Sequence, residues 1–269
     1  MPAIHVERLN QQIKTVFDPE HPGSIFIKNF QSLLDVHSNL AYQPSQQLQR
    51  KSLIAKLHLA PIVMHQIQLR LSSISKTNPK LALDYADQLW TLETIETKVF
   101  SAVILGNLDL NYLDDVTSRF IQWGSETSDY EVHQILFSFG TKNLKKGNEN
   151  SWFEIIQTWI DSNVPNQIIT AMYAFLSIIQ DPSFVNFPKI YKMISPLLTI
   201  EDRKIFSILH QLILELAEHN PNETAHFLSS SLMSSPPALL KDLIRKSLKT
   251  FPKDQQLILR KALSSVVDG

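Results

Sequence analysis

Apolar residues along this chain recur mainly at intervals of three and four, the spacing that places side chains on one face of an α-helix. Ala82, Tyr85, Ala86 and Leu89 follow this spacing, and after a short polar turn a second apolar stripe begins at Ile95. The pattern predicts two helices joined by a turn. Two helices share too little surface to offset the entropy lost in ordering them, so neighbouring helices must cover their apolar faces.

The same two-helix pattern returns along the chain, with pairs that begin near residues 79, 110, 150, 187 and 221. The spacing of 31 to 40 residues is typical of degenerate HEAT-like repeats. The sequence therefore predicts an all-α fold: an α-solenoid of HEAT-like two-helix repeats, an α-α superhelix curved so that it has a concave face. Residues 79–269 would form the array, continuous with N-terminal helices in 1–78 that act as a cap or as divergent repeats.

Local signals place several helix boundaries. In the N-terminal part, helices are expected over 3–17, 24–40, 45–59 and 61–75. Another is expected over 128–146, where Val132, Ile135, Leu136 and Phe139 form a stripe that predicts burial in the core. Three helix N-caps are predicted: Asn78, Ser128 and Thr199. Each is followed by a residue that favours the first helical turn, namely Pro79, Glu131 and Asp202.

The composition excludes several kinds of chemistry. Cysteine is absent, which excludes disulfides, thiol nucleophiles and thiolate metal sites. The nine histidines show no HExxH spacing, and neither a P-loop nor a GxSxG motif is present. We therefore expect no cofactor and no metal. Because no apolar run approaches the roughly 18 residues of a membrane span, and the N-terminus lacks signal-peptide features, the chain is expected to be cytoplasmic and not membrane-bound.

Charge is unevenly distributed although the net value is only −1. Residues 81–131 carry ten acidic and two basic side chains, and residues 241–261 carry seven basic and two acidic ones. Such blocks are usually solvated helix faces, but the acidic block would also suit a basic protein partner and the basic residues would suit nucleic acid. The candidate nucleic-acid contacts are Lys142, Lys145, Lys146, Arg203, Lys204, Lys241, Arg245, Lys246 and Lys249.

Two segments resemble the DNA alkylation repair family, the HEAT-like alkylpurine DNA glycosylases. In LWTLETIETKVFSAVIL, the family's leucine–tryptophan pair, glutamate and basic residue are matched by Leu89, Trp90, Glu96 and Lys98. In LILELAEHNPNETAHFL, the family's late helix and the turn after it are matched by Glu215, Ala217, Asn220 and Pro221. Together the two segments extend the resemblance over residues 80–263.

The resemblance implies a cradle of helices for duplex DNA, with an aspartate acting between two tryptophans on the concave side. A carboxylate there stabilises positive charge on the sugar as a cationic alkylated purine departs. When the family motif is aligned on Val132, Asp129 falls at the first tryptophan and His133 at the catalytic aspartate. Counted back from Asn220 and Pro221, the later tryptophan falls near Gln211. A histidine cannot supply the fixed negative charge, so the alignment favours a family member that is not an enzyme.

An alignment shifted by one helical turn gives a different set of residues. Asp129 or Glu131 would then supply the carboxylate, and Trp123 or Trp152 an aromatic wall. At the start of a helix, however, acidic residues also favour the macrodipole without any catalytic role.

Three functions follow from these observations. The first, which the sequence favours, is a non-catalytic HEAT-like protein that binds duplex or branched DNA through its basic patches. The second is an active N-alkylpurine DNA glycosylase with a relocated carboxylate. The third is a scaffold whose acidic middle region receives a basic protein partner.

Overall fold

Helix follows helix through the computed structural model, which describes residues 5–18, 23–39, 54–127, 129–147, 149–182, 184–233 and 238–265. The chain forms two compact units, residues 1–152 and 153–269, and the boundary falls within one helix. The expected boundary between residues 78 and 79 lies inside the first unit. The all-α prediction is confirmed, since the described residues form no strand beyond one isolated bridge.

The helices of the first unit are α1 (Val6–Val16), α2 (Gly23–His37), α3 (Pro61–Thr77), α4 (Pro79–Trp90), α5 (Ile95–Asn107), α6 (Leu113–Glu126), α7 (Tyr130–Gly140) and α8 (Lys142–Gly147). Helix α9 (Glu149–Asp161) contains the boundary. The second unit continues with α10 (Pro165–Ile179), α11 (Phe187–Ile194), α12 (Arg203–His219), α13 (Pro221–Met233), α14 (Ala238–Ser247) and α15 (Lys253–Ser265). Short 3₁₀ turns occur at Leu110–Tyr112, Ser195–Thr199 and Leu248–Thr250. Among the described residues, no helix is both long and apolar enough to cross a membrane.

Consecutive helices of the first unit alternate between two layers. Helices α1, α3, α5 and α7 pack in order in one layer, and α2, α4 and α6 form the other. Helix α5 lies at the centre of the first layer, and every residue from 95 to 107 is buried. Gly106 allows α5 to approach α7 closely, because a Cβ at this position would lie 1.9 Å from the backbone oxygen of Phe139.

Helices α4 and α6 are joined by side chains 32 to 36 residues apart. The Arg119 guanidinium donates to both carboxylate oxygens of Asp87, at 2.7 and 2.6 Å. One helical turn further along α4, the indole of Trp90 stacks on that of Trp123. These contacts join α4 to α6, the second helix after it in the chain.

The second unit has the same alternation. Helices α10, α12 and α14 pack in order, and α13 packs against α15. Helix α11 reaches α13 through Tyr191, whose hydroxyl lies 2.8 Å from Thr224 Oγ1 and whose ring centroid lies 5.0 Å from that of Phe227. These partners are again 33 and 36 residues apart.

The prediction of a helix over 45–59 is wrong for residues 54–59, which are not helical. Residues 45–53 lie outside the described part of the chain. Residues 54–60 instead form an extended segment alongside the start of α5, where Ala55 pairs with Thr94 in a parallel bridge and accepts a hydrogen bond from Ile95 N at 2.9 Å. His58 within it has a φ of 53°, a left-handed backbone conformation that a helix cannot contain.

Of the predicted helix N-caps, one is confirmed and one is wrong. The Asn78 side chain accepts a hydrogen bond from Leu81 N ahead of Pro79, as predicted. Helix α12, however, is capped by Asp202 rather than by Thr199. Helix α7 is capped by Asp129, and the predicted cap Ser128 lies outside the described residues. The expected helix over 128–146 is divided into α7 and α8 at Thr141.

Candidate nucleic-acid interface

The carboxylates at the family-motif positions are held in structural contacts. Asp129 Oδ1 accepts hydrogen bonds from Glu131 N at 2.9 Å and Val132 N at 3.4 Å, as a helix N-cap does. Glu131 pairs with Lys56, whose Nζ lies 2.6 Å from Glu131 Oε1. The first contact starts α7, and the second ties α7 to the extended segment 54–60.

His133 is buried, with only 1% of its surface exposed. Its Nδ1 lies 3.0 Å from the backbone oxygen of Asp129, and its Nε2 lies 3.0 Å from that of Gly124. Burial lowers the pKa of His133, while the two carbonyls and the charge of Asp129 act in the opposite direction. The ring therefore joins the end of α6 to the start of α7 and is not exposed to a ligand. Gln211, the other family position, is half-buried on α12 in the second unit.

The residues that carry the resemblance at Trp90 form an internal cluster. The Lys98 ammonium lies 4.4 Å from the Trp90 ring centroid and donates a hydrogen bond to the Trp90 backbone oxygen. Burial lowers the pKa of Lys98, and the charges of Glu93 and Glu126 oppose that shift. The cluster stabilises the turn between α4 and α5, so these motif residues have a structural explanation.

The expected aromatic walls are also internal. Trp123 and Trp152 are each 2% exposed. Trp152 packs against Phe120 and Phe137, with ring centroids 5.9 and 6.3 Å apart. Neither indole presents a face to a ligand at the surface.

Glu96 fastens the segment 54–60 to α5. Glu96 is buried, with 7% of the residue exposed. Its carboxylate accepts hydrogen bonds from Leu57 N at 3.0 Å and His58 N at 2.9 Å. Successive backbone N–H groups with one residue in the left-handed region form a concavity suited to an anion. Here a side chain of the same unit fills it.

A groove of about 280 Å³ opens on the first layer of the first unit. Helix α5 forms its floor, and α3, α7 and the start of α8 form its sides. Its lining residues are His65, Gln68, Leu69, Ser72, Val103, Asn107, Ser138, Phe139 and Lys142. Phe139, predicted to be buried, is 40% exposed and lines this groove instead. Of the lining residues, sequence reasoning had identified only Lys142 as a binding residue.

In the second unit, basic side chains gather on α12, α14 and the turn after α14. Arg203, Lys204, Lys246 and Lys249 are exposed, and Lys241 is half-buried. None of these five forms an ion pair with a described carboxylate, whereas Arg245 lies 3.2 Å from Asp242. We call Arg203, Lys204, Lys241, Lys246 and Lys249 the basic face. The side chains of Lys145 and Lys146 lie outside the described residues.

Aromatic rings lie within the basic face. The Lys246 ammonium is 4.9 Å from the Phe206 ring centroid, and the Phe206 and His210 rings are stacked at 6.5 Å with a 7° angle between their planes. Burial, followed by the charge of Lys246, lowers the pKa of His210, while a backbone contact with Lys246 opposes this. A cation beside half-buried rings is a combination that nucleic-acid phosphates and bases can both contact. The apolar periodicity of α12 does not single out Phe206, so sequence reasoning missed it.

The described residues contain no group of three or more histidine, aspartate and glutamate side chains arranged to hold a metal ion. In comparisons with known proteins, the chain matches no family model, no curated protein and no solved structure.

Proposed function

We propose that the chain is a HEAT-like α-solenoid protein, related to the DNA alkylation repair family, that binds duplex or branched DNA without catalysing a reaction. The observation that carries this proposal is the basic face, whose five side chains lack described carboxylate partners. One of them, Lys246, lies over the Phe206 ring. Unpaired cations on one surface attract phosphates, and binding releases the counterions condensed on DNA.

The layered packing supports the repeat part of the proposal. A solenoid of helical hairpins requires alternating helices to form two layers, with equivalent helices in contact one repeat apart. Both units have this alternation, and pairs such as Asp87 with Arg119 and Tyr191 with Thr224 lie 32 and 33 residues apart. This separation fits a repeat of two helices and their turns.

The occupied carboxylates support the non-catalytic part. A glycosylase carboxylate must approach the sugar, but Asp129 caps α7, Glu131 pairs with Lys56, and His133 is buried. A relocated catalytic acid at Asp129 or Glu131 would have to leave these contacts first.

The salt dependence of DNA binding tests the basic face. In the triple variant Arg203→Gln, Lys246→Gln, Lys249→Gln, we expect the slope of log K against log salt concentration to fall by about 2 to 3, since each phosphate contact contributes about 0.9. Fluorescence anisotropy with labelled duplex DNA over a salt series measures this slope. The matched control is Lys28→Gln, Lys76→Gln, Lys80→Gln, which removes three exposed charges from the first unit. Absence of wild-type binding, or an equal loss in both triple variants, would contradict the proposal.

A second assay tests the absence of catalysis. The wild-type protein is incubated with methylated DNA, and released 7-methylguanine and 3-methyladenine are measured by chromatography. We expect no release above buffer. Release that disappears in Asp129→Asn or Glu131→Gln would instead establish a glycosylase and identify its carboxylate.

The acidic surface of α4 and α6 favours a second candidate function, a scaffold for a basic protein segment. Asp84, Asp114 and Asp115 are exposed there, on the layer opposite the groove of the first unit. Their opposite charge would attract lysine- and arginine-rich segments. Retention of a basic peptide that is lost in Asp84→Asn, Asp114→Asn, Asp115→Asn would support this function, and equal retention by the triple variant would rule it out.

A further inference from the structure

The groove of the first unit combines a floor of one apolar and one polar side chain with apolar side chains along its sides. Val103 and Asn107 on α5 are buried at its base, 7% and 8% exposed. Leu69 from α3 and Phe139 from α7 remain 52% and 40% exposed along its sides. A groove bounded by an aromatic ring and an aliphatic side chain offers apolar surface to a flat ring on its two sides.

The polar lining has one positive charge and free hydrogen-bonding capacity. Lys142 supplies the charge, and none of the lining residues is acidic. Within the described chain, the side chains of His65, Gln68 and Ser138 have no hydrogen-bond partner. Asn107 Nδ2 donates to the backbone oxygen of Val103 at 2.7 Å, which leaves Asn107 Oδ1 available as an acceptor. The complementary ligand is therefore an anion that also carries a flat ring with donors and acceptors at its edge.

The volume limits the size of this ligand. At about 280 Å³ the groove lies just below the range of roughly 300–1,000 Å³ that small-molecule sites occupy. A base pair or a stacked duplex is too large for it, whereas one base with part of its sugar is a suitable occupant. Single nucleotides that are unstacked from a strand are bound in this way, by stacking on an aromatic side chain and by hydrogen bonds to the base edge.

We propose that this groove binds one unstacked nucleotide of a nucleic-acid strand. The Phe139 ring stacks on the base, the Gln68 and Asn107 amides contact the base edge, and Lys142 contacts the neighbouring phosphate. This inference rests on the proposed nucleic-acid binding and adds a preference for unpaired positions, which the basic face of the second unit does not provide.

The test compares two short duplexes of the same sequence, one fully paired and one with a single unpaired 2-aminopurine. We expect the wild-type protein to bind the second duplex more tightly and to change its 2-aminopurine fluorescence. In Phe139→Ala, affinity for the unpaired site should fall about tenfold, the range of one lost base–aromatic stack, while affinity for the paired duplex stays the same. Phe139→Trp should restore the preference, and Leu257→Ala, which removes an exposed apolar side chain from the second unit, should leave it unchanged.

Each alternative outcome has a distinct meaning. Equal wild-type binding of both duplexes, or an equal loss for both in Phe139→Ala, overturns the groove inference and leaves the proposed function intact. Failure to bind either duplex overturns both. Saturable binding of free AMP that Phe139→Ala abolishes, without a preference for the unpaired site, would identify a free nucleotide as the occupant and overturn the inference as stated.

Discussion

The indole rings of Trp90 and Trp123 lie parallel, with centroids 4.4 Å apart and planes inclined by only 8°. Trp90 belongs to α4 and Trp123 to α6, the two helices that are neighbours in the second layer of the first unit. Trp90 Nε1 also donates to Glu126 Oε2 at 3.2 Å, so the buried indole has a polar partner. This stack therefore joins the two helices through both an apolar and a polar contact.

Removal of one ring from this stack should destabilise the first unit. For Trp123→Ala we expect a loss of about 3–5 kcal/mol in the free energy of unfolding, because a buried indole is replaced by a cavity. Urea denaturation measures the loss, and near-UV circular dichroism should lose the signal of the coupled indoles. As a control, Val36→Ala at a 70% exposed site should change stability by less than about 0.5 kcal/mol. A cost for Trp123→Ala as small as that of the control would show that the stack is not formed.

Gly106→Ala should also destabilise, although alanine normally favours a helix over glycine by about 1 kcal/mol. The new Cβ would lie 1.9 Å from the Phe139 backbone oxygen, so α5 and α7 must move apart at a cost of about 3 kcal/mol. At Gly140 the nearest atom is Cε1 of the Phe120 ring at 2.8 Å, and a side chain can move more cheaply than a backbone. We expect the melting temperature of Gly106→Ala to fall further than that of Gly140→Ala; the reverse order would contradict the close helix contact.

Glu96→Ala should release the segment 54–60. Two backbone N–H groups, of Leu57 and His58, would lose a charged acceptor, with an expected cost of about 2–3 kcal/mol. Hydrogen exchange of these two amides should accelerate in the native state. Glu96→Gln keeps one oxygen acceptor and should lose about half as much. Unchanged exchange in Glu96→Ala would exclude this role.

The buried imidazole of His133 should make stability depend on pH. Burial lowers the pKa of His133 in the folded state, so the unfolded chain, with an ordinary value of 6.5, takes up a proton first as pH falls. The stabilisation is therefore fully present above pH 6.5 and is lost as pH falls through the folded-state pKa. His133→Gln lacks this dependence.

The difference in unfolding free energy between wild type and His133→Gln should shrink in acid. Urea denaturation of both proteins across a pH series measures the difference and cancels the shared contribution of other groups, such as His37 and His210, whose pKa values burial also lowers. A difference that stays constant from neutral to acidic pH would contradict the assignment.

Helix positions could be predicted where the signal is local. Asn78 followed by Pro79 fixed the start of α4, since both the cap and the first helical position are specified by adjacent residues. The cap of α12 was misplaced because an acidic residue three positions after a threonine fits two roles. It can be the partner in a capping box or, as Asp202 is, the cap itself.

The candidate sites depended on contacts that periodicity does not encode. The acceptor role of Glu96 involves backbone groups 38 and 39 residues away, so no pattern in α5 reveals it. Phe139 belongs to an apolar stripe and was expected in the core, but its ring lines a groove. The basic residues of α12 and α14 could be identified from the sequence, because the charge of a side chain follows from its residue type. The position of the Phe206 ring beside Lys246 could not, because it depends on how the two helices pack.

The alternation of helices between two layers has a consequence for how each unit folds. Stacked partners such as Asp87 with Arg119 and Tyr191 with Thr224 are only 32 and 33 residues apart, so native contacts form without closing long loops. A fold whose helices contact near neighbours in the chain has a lower contact order than one whose distant segments meet, and lower contact order favours faster folding. Each unit can therefore assemble by the addition of one helix to a neighbour that is already in place, from any starting hairpin.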